Sequence, residues 1–287
     1  MIDTLGLYKV LDRLGSSRLG DVYRARDTKH GRTVAMTVVG ETIGRDPGRR
    51  ACLVRDAHAV QACTHPSVSV LFDVGEEDGR LYLVFEFAPG DPLEALVARG
   101  PLNPRRAIEI AVQVADGLAD GHAVGLLHAD LRPGTIVMTP KGNAKICNIG
   151  LAAWTSEGLS PYSAPEQRRG GSAEEASDIY ALGVILFEMI TAHRPSSSGA
   201  DSRIPADLAP TLSKALAEAP GDRYQSVATM AAELRTVGTA LDARVTAAPA
   251  PVPLRRAPAR GSGIGWWLLL LGLAAFAALL WMAGVRS

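Results

Sequence analysis

Two short stretches decide how this chain is interpreted: HADLRPGT (residues 128–135) and KICNIG (residues 145–150). The first has the form of a catalytic loop, and the second has the form of a metal-binding loop. Magnesium prefers charged oxygen ligands, but the metal-ligand positions of these loops hold the hydroxyl of Thr135 and the neutral amide of Asn148. The two stretches therefore predict a catalytic framework in which metal binding is weakened.

A third weakened position lies on a predicted strand nearer the N-terminus. The stretch LGSSRLGDVY (residues 14–23) follows the pattern G-x-x-x-x-G-x-V, with Ser17 at the place of a middle glycine. Such glycines let the backbone of a hairpin approach phosphate. The β-branched run at residues 34–39 predicts the next strand. Thr37 is an uncharged polar residue within this run.

Further motifs follow in order along the chain. They are RDA (55–57), HPSV (65–68), DVGEEDG (73–79), SAPE (163–166), SDIYALG (177–183) and PGDRY (220–224). With these motifs the chain resembles the Hanks-type protein kinases, especially the bacterial membrane Ser/Thr kinases. The resemblance implies an α+β, bilobal protein-kinase-like fold, with a β-rich N-lobe at residues 1–88, a helical C-lobe at residues 89–242 and a cleft between them.

The hydrophobic patterns agree with two such lobes. Runs rich in β-branched and aromatic residues predict strands at residues 34–39 and 81–87. Helical spacing of apolar residues predicts helices at residues 105–122, 177–191 and 228–237. Residues 49–62 lack glycine and proline and are also expected to be helical.

Composition sets further bounds on the class of protein. The chain has 287 residues, of which 47% are hydrophobic, and a net charge of zero. This is enough apolar material for a sizeable core, and the charge gives no indication of nucleic-acid binding. The cysteines are Cys52, Cys63 and Cys147, with no C-x-x-C spacing. They favour reduced thiols in a cytosolic domain.

The C-terminal part predicts a membrane anchor. Residues 243–263 are rich in proline and arginine and predict a semi-rigid juxtamembrane linker. Residues 264–284 contain no charged residue and are long enough for one transmembrane helix. Trp266, Trp267 and Trp281 lie near its ends, as interfacial anchors do. Residues 285–287 are a short tail.

The orientation of this anchor follows from the charges beside it. The arginines just before it are Arg255, Arg256 and Arg260. The positive-inside rule then puts the N-terminal domain in the cytoplasm of a single-pass protein of the cell membrane. The start of the chain has no basic region followed by an apolar run, so we expect no signal peptide.

The resemblance implies roles for the charged groups of the active site, and most of these groups are replaced. Thr37 lacks the charge of the strand lysine. Asp56 takes the place of the αC glutamate and is expected to have no cation to pair with. Ala129 replaces an arginine that binds a phosphorylated activation loop. Since phosphoryl transfer depends on positioning and charge neutralisation, these changes, with Thr135 and Asn148, predict that transfer is lost or very weak.

Two catalytic-loop groups survive. Asp130 holds the place of the catalytic base, although we expect it to order the loop, and Arg132 replaces a lysine that reaches the transferred phosphate. Arg18 is the only cation of the glycine-rich loop and is a poor exchange for a flexible ammonium. Cys147 is either a reactive thiol in the cleft or a small buried hydrophobe. Residues 151–163 form a short activation loop with little platform for a peptide.

The positions that hold the fold match the family, as does the apolar part of the nucleotide pocket. The resemblance implies pocket positions at Gly15, Ser17, Gly20, Val22, Ala35, Phe85, Glu86, Ala88 and Val137. It implies structural roles for His128, Glu166, Asp178 and Arg223, with Arg223 paired to Glu166. It also implies a regulatory spine of Val60, Leu71, His128 and Ile149. A chain that keeps the structural residues of the fold but replaces the charged groups of the active site is typical of a pseudokinase.

The resulting hypothesis is a membrane-anchored pseudokinase that acts as a protein-binding scaffold or regulator in bacterial signalling. It would require no metal or other cofactor, although ATP could bind without strong metal dependence. Its partners would be proteins at the membrane, such as an active kinase or a phosphothreonine-binding protein that recognises Thr236, Thr239 or Thr246. Two alternatives stay open: a weak or unconventional Ser/Thr kinase or other ATP-dependent transferase, and a nucleotide sensor without turnover.

Overall fold

A computed structural model describes residues 3–156, 158–195 and 201–247 of the chain. These residues form an N-terminal lobe built on a sheet and a C-terminal lobe built mainly on helices, as the sequence predicts. The chain divides into two compact units, and the first, Met1–Thr246, contains both lobes.

The N-lobe is a six-stranded antiparallel sheet with the order β1-β2-β3-β4-β6-β5. Its strands are β1 (Thr4–Leu5), β2 (Tyr8–Ser16), β3 (Gly20–Asp27), β4 (Arg32–Val39), β5 (Leu71–Glu77) and β6 (Arg80–Glu86). Both predicted strands are present, as β4 and β6. In β4, Val34 and Met36 pack in a small outer core, whereas Ala35 and Val39 face the main core. Because side chains alternate along a strand, Thr37 belongs to the face that meets the main core.

Two helices cross the N-lobe, α1 (Glu41–Gly44) and α2 (Pro47–Val60). The predicted helix at residues 49–62 corresponds to α2 but begins earlier. Asp46 caps α2 by accepting hydrogen bonds from the amides of Gly48 and Arg49, at 2.9 and 3.0 Å, and Pro47 opens the first turn. Proline at the first helical position and aspartate at the cap are both favourable, so the start is fixed two residues upstream.

The C-lobe consists of helices and one small sheet. Its helices are α3 (Leu93–Val97), α4 (Pro104–Ala123), α5 (Ala152–Thr155), α6 (Pro165–Arg168), α7 (Glu175–Thr191), α8 (Ala209–Ala215) and α9 (Val227–Ala247). Its strands are β7 (Asp91–Pro92), β8 (Ile136–Met138) and β9 (Ala144–Ile146), in the order β7-β8-β9. Helix α7 is buried on all sides and packs against α4, so it is the centre of this lobe.

Helix α9 extends through Ala247, past the end of the predicted helix at residue 237. Two ion pairs join it to α4: Arg235 to Asp116 at 2.5 Å and Arg105 to Asp242 at 2.9 Å. The rest of the predicted linker, the predicted transmembrane segment at residues 264–284 and the tail lie outside the described residues. Within the ranges that the structure describes, no helix is long and apolar enough to cross a membrane.

Candidate active site

The glycine-rich hairpin between β2 and β3 is closed by Ser17. The amide of Ser17 donates to the Gly20 carbonyl at 2.8 Å, and the amide of Gly20 donates back to the Ser17 carbonyl at 3.1 Å. A Cβ on Gly20 would lie 1.9 Å from the carbonyl oxygen of Val38, whereas a Cβ on Gly15 would meet nothing within 4 Å. Gly20 is therefore needed for close strand packing, and Gly15 has no such steric requirement.

The apolar pocket residues come from four strands. Val22 lies in β3, Ala35 in β4 and Phe85 in β6, while Val137 lies in β8 of the C-lobe. Ala35 is directly opposite Phe85, and Val22 is directly opposite Thr37. The sheet thus brings the three N-lobe residues together, with Thr37 beside them.

Thr37 occupies the strand position at which the resemblance puts a lysine. Thr37 is 7% exposed and lies between Val22 of β3 and Leu83 of β6. A threonine hydroxyl carries no charge and extends far less from the strand than a lysine ammonium does. The N-lobe therefore presents a neutral, buried side chain where phosphate would be held.

Asp56 has two partners, so the expectation that it would lack a cation is wrong. Its Oδ1 lies 2.9 Å from Nη2 of Arg55, and its Oδ2 accepts a hydrogen bond from the indole Nε1 of Trp154 at 3.0 Å. Arg55 is the preceding residue in α2, but Trp154 belongs to α5 of the C-lobe. Sequence spacing gave no signal for this second contact because the two residues are 98 positions apart.

Asp178 of α7 holds the backbone of the catalytic loop. Its carboxylate accepts hydrogen bonds from the amides of His128 and Ala129, both at 2.8 Å, and lies 2.9 Å from Nε2 of His122. His128 is buried, and burial lowers the pKa of its imidazole. Its Nε2 lies 3.1 Å from the carbonyl oxygen of Cys147, which connects the two loops quoted at the outset.

Asp130 and Arg132 lie close to each other in the catalytic loop. Nε of Arg132 is 3.6 Å from Oδ2 of Asp130, whose side chain is 8% exposed. A cavity of about 510 Å³ adjoins them, and its other walls include Glu94, Tyr162 and Glu188. The short activation loop therefore still encloses a space beside the catalytic-base position, which the sequence did not predict.

Thr135 ends the 3-10 turn Pro133–Thr135 and uses its hydroxyl inside that turn. The hydroxyl donates to the Arg132 carbonyl at 2.9 Å and accepts from the Arg132 amide at 3.1 Å. The carbonyl of Thr135 accepts from the amide of Cys147 at 2.8 Å. Thr135 thus preserves the shape of the loop and commits its hydroxyl to that task.

Asn148 adopts a left-handed backbone conformation, with φ of 66°. Asparagine is among the residues that tolerate this region. The amide of Leu151 donates to the Asn148 carbonyl at 3.1 Å. Among the described residues, no group of three or more His, Cys, Asp or Glu side chains could hold a metal ion. With one carboxylate at Asp130, a neutral amide and an engaged hydroxyl, the donors do not fit a magnesium site.

The hinge region after β6 contains an ion pair that sequence reasoning missed. Nζ of Lys145 in β9 lies 2.6 Å from Oε2 of Glu86, and the lysine side chain is 15% exposed. The Ser69 hydroxyl donates to the Glu86 carbonyl at 3.1 Å, and Ala88 follows, half-buried. Lys145 was visible in the stretch KICNIG, but only the contact itself shows that it reaches Glu86, because the two residues are 59 positions apart.

Glu166 and Arg223 form the pair that the resemblance implies. Nη1 and Nη2 of Arg223 donate to the two carboxylate oxygens of Glu166, each at 2.8 Å, and the Ser177 hydroxyl donates to the same carboxylate. Burial alone would raise the pKa of Glu166, but these hydrogen bonds lower it to about 2. The carboxylate is therefore ionised throughout the ordinary pH range.

Two charged side chains, Glu86 and Lys145, act on the thiol of Cys147. Burial raises the pKa of the Cys147 thiol to about 11, the negative charge of Glu86 adds to the rise, and Lys145 opposes it. The thiolate is the reactive form of cysteine. Cys147 is only partly buried, so it is not the fully buried hydrophobe that the sequence offered as one alternative. Its raised pKa nevertheless disfavours the other alternative, a reactive thiol.

Comparisons with known proteins agree with this architecture. The family model described as "Protein kinase domain" matches residues 8–234. The chain is 31% identical to the serine/threonine-protein kinase PrkC of Bacillus subtilis, over 80% of this chain and 40% of that protein. It is 30% identical to the serine/threonine-protein kinase PknB of Mycobacterium tuberculosis, over 79% of this chain and 42% of that protein.

Solved structures give the same result for the fold. The kinase domain of Mycobacterium tuberculosis PknI superposes with a TM-score of 0.68 at 26% sequence identity, covering 83% of this chain and 99% of that one. The chain spans about two fifths of the length of the curated relatives named above. It has the bilobal protein kinase fold, its relatives are bacterial Hanks-type Ser/Thr kinases, and it belongs to the protein kinase domain family.

Proposed function

We propose that this chain is a pseudokinase, which binds other proteins and transfers phosphate very weakly or not at all. The observation that carries the proposal is the engagement of Thr135, whose hydroxyl makes two hydrogen bonds to the Arg132 backbone, at 2.9 and 3.1 Å. Thr37 and Asn148 add no charge. Three positions that would handle metal and phosphate therefore offer no charged group, and loss of such electrostatic groups commonly costs about 10²–10³ in rate for each.

The nearby cations do not replace the missing lysine. Arg18, at the tip of the glycine-rich hairpin, donates a hydrogen bond to the carbonyl of Ser156. Lys145 is paired with Glu86 at 2.6 Å on the hinge side of the pocket. Both contacts hold a cation in a structural role, which supports the loss of phosphate handling.

The intact scaffold supports a binding role. Asp178 accepts hydrogen bonds from the backbone of the catalytic loop, and Arg223, near the C-terminal end of the C-lobe, is paired with Glu166. We place this role at the cytoplasmic face of the bacterial cell membrane, because residues 264–284 are apolar and uncharged. The partner would be a membrane-proximal protein, such as an active kinase that this domain recruits or regulates.

A phosphothreonine-binding partner would need α9 to open. The hydroxyls of Thr236 and Thr239 donate to the carbonyls of Ala232 and Arg235, at 3.1 and 2.9 Å, inside the helix. Thr246 lies near the end of the same helix. At Thr236 and Thr239 this geometry favours recognition of a folded surface over recognition of a phosphorylated segment.

The test is phosphotransfer by the purified full chain with labelled ATP and Mg²⁺ or Mn²⁺. We expect no transfer above the level of an Asp130→Ala variant. Transfer that disappears in Asp130→Ala would contradict the proposal and establish the second candidate, a weak kinase. The position of Asp130 beside a cavity of about 510 Å³ is the observation that favours that candidate.

Nucleotide binding without turnover is tested separately by thermal unfolding with ATP, with and without metal. Stabilisation that is independent of metal would indicate a nucleotide sensor, because the apolar walls could hold the base while the phosphates stay in solvent. Stabilisation that requires Mg²⁺ would contradict the loss of metal binding proposed for Thr135 and Asn148.

A further inference from the structure

The start of the activation segment, residues 151–156, contacts both lobes. Residues 152–155 form helix α5, and Trp154 on this helix donates to Asp56 of α2 at 3.0 Å. The carbonyl of Ser156, just after the helix, accepts a hydrogen bond from Arg18 at the hairpin tip. Two separate parts of the N-lobe are thus bound to one short segment of the C-lobe.

The root of this segment is firmly packed. Ile149 and Leu151 are buried, and Gly150 lies between Val60 of α2 and Leu126 of the C-lobe. A Cβ on Gly150 would approach the side chain of Val60 to 2.9 Å and that of Leu126 to 3.0 Å. Because residues 149–151 are tightly packed, helix α5 is held firmly against the C-lobe, and a contact made by α5 also involves that lobe.

Of the two N-lobe groups that this segment binds, Asp56 and Arg18, only the Arg18 guanidinium could bind a nucleotide phosphate, since the Asp56 carboxylate carries the same sign of charge. Asp56 stands where a carboxylate would pair with a strand lysine, but Thr37 cannot provide that cation. Arg18 is the one cation in the glycine-rich hairpin, residues 14–23. In this structure residues 151–156 bind both Asp56 and Arg18. The segment therefore connects helix α2 with the glycine-rich hairpin.

We infer that residues 151–156 form an internal clasp, which holds the two lobes in one arrangement without nucleotide or metal. Trp154 anchors the clasp to α2, and the Ser156 carbonyl anchors it to the hairpin through Arg18. In a nucleotide-dependent kinase, ligand binding can change the relative populations of lobe arrangements. The clasp would instead make one arrangement a fixed property of this chain, which goes beyond the loss of phosphotransfer and does not depend on it.

Hydrogen–deuterium exchange of the full chain tests the clasp. Trp154→Phe keeps an aromatic ring and removes the indole N–H donor to Asp56. We expect amide exchange in α5 and in the hairpin around residues 15–20 to become about tenfold faster, the change typical of losing one hydrogen bond to a charged group. Arg18→Gln should have the same effect on both segments. The double variant should add little, since both contacts fix one element.

Tyr162→Phe is the matched control. Tyr162 also donates to a carboxylate, Glu188, at 2.6 Å, but both residues lie in the C-lobe. It should leave exchange in the hairpin unchanged. An effect of Trp154→Phe that is confined to α5, with no change in the hairpin, would overturn the clasp. If Trp154→Phe lowers the overall stability, Asp56→Asn removes the negative charge from the acceptor and must give the same pattern.

No nucleotide enters this experiment. Its failure would therefore leave the proposed pseudokinase function standing, and phosphotransfer in the assay above would leave the clasp standing.

Discussion

The guanidinium of Arg223 is fully buried and forms a two-fold hydrogen-bonded ion pair with Glu166, at 2.8 Å on each side. Arg223 also donates to the carbonyls of Ala217, Ala176 and Glu218. We predict that Glu166→Gln destabilises the domain by about 3–5 kcal/mol, because it leaves a buried cation without its counter-charge. Urea denaturation of the full chain, followed by far-UV circular dichroism, measures this change in the free energy of unfolding.

The control for this prediction is an exposed ion pair of the same kind. Arg235 pairs with Asp116 at 2.5 Å, but their side chains are 52% and 34% exposed. Asp116→Asn should therefore cost less than about 1 kcal/mol. Equal destabilisation by Glu166→Gln and Asp116→Asn would show that burial does not govern the energetics of the Arg223 pair.

Acid should weaken the same contact in a defined pH window. The pKa of Glu166 is about 2 in the folded protein, whereas the ordinary value for a glutamate is 4.5. Because the folded-state pKa is depressed, the contribution to stability is complete above about pH 4.5 and is lost as the pH falls towards 2. The depression corresponds to roughly 3 kcal/mol.

The measurement is the free energy of unfolding of the wild type and of Glu166→Gln across this window. The difference between the two proteins should shrink as the pH falls. Asp27, whose pKa is also lowered to about 2, titrates in the same window in both proteins, so its contribution cancels in the comparison. A difference that stays constant from about pH 5 to about pH 3 would contradict the role assigned to Glu166.

Restoring three side chains should restore metal-dependent nucleotide binding. The triple variant Thr37→Lys, Thr135→Asn and Asn148→Asp introduces a strand cation and two metal ligands, and it also removes the Thr135 hydroxyl that bonds to the Arg132 backbone. We predict that ATP with Mg²⁺ raises its midpoint of thermal unfolding by about 5 °C at saturating concentration. The wild type should show no Mg²⁺-dependent rise.

Asp130→Ala, added to the triple variant, is the control for catalysis as distinct from binding. It should keep the thermal rise and abolish any transfer of phosphate. If wild type and triple variant respond equally to ATP with Mg²⁺, the three substitutions are not what limits metal binding in this domain.

The three cysteines should differ strongly in their rates of alkylation. Cys52 is exposed, whereas Cys63 and Cys147 have thiols whose pKa is raised to about 11, in each case chiefly by burial. At neutral pH only about one such thiol in ten thousand is a thiolate, so iodoacetamide should modify Cys52 at least a hundredfold faster. Peptide mass spectrometry follows each site, and unfolding should equalise the rates. Rapid modification of Cys147 in the folded protein would identify it as a reactive thiol after all.

Much of the fold could be predicted from the sequence, because long elements have strong hydrophobic patterns. The strands β4 and β6 and the helices α4 and α7 lie close to their predicted bounds. The start of α2 was misplaced because the prediction excluded glycine and proline, whereas Pro47 and Gly48 form the first turn after the cap at Asp46. The four-residue helix α5 was missed because a single turn has no measurable periodicity.

The sequence predicts which charged groups the candidate site lacks, but it does not predict the contacts that the remaining groups make. The residue types at Thr37, Thr135 and Asn148 are visible in the sequence. The contacts from Trp154 to Asp56 and from Arg18 to Ser156 join residues that are 98 and 138 positions apart. Such contacts depend on the packed arrangement of the lobes, and a single sequence carries no periodic signal for them.

The left-handed backbone at Ala129 shows that the catalytic loop is shaped partly by residues outside it. Ala129 has φ of 60°, a conformation that costs alanine roughly 1–2 kcal/mol. It is imposed from outside the loop, since Asp178 accepts the Ala129 amide and Gln167 donates to the Ala129 carbonyl. The course of the catalytic loop at residue 129 is therefore set by Asp178 and Gln167. Because both hydrogen bonds are made by backbone atoms of residue 129, this part of the loop can keep its course when the side chain there changes.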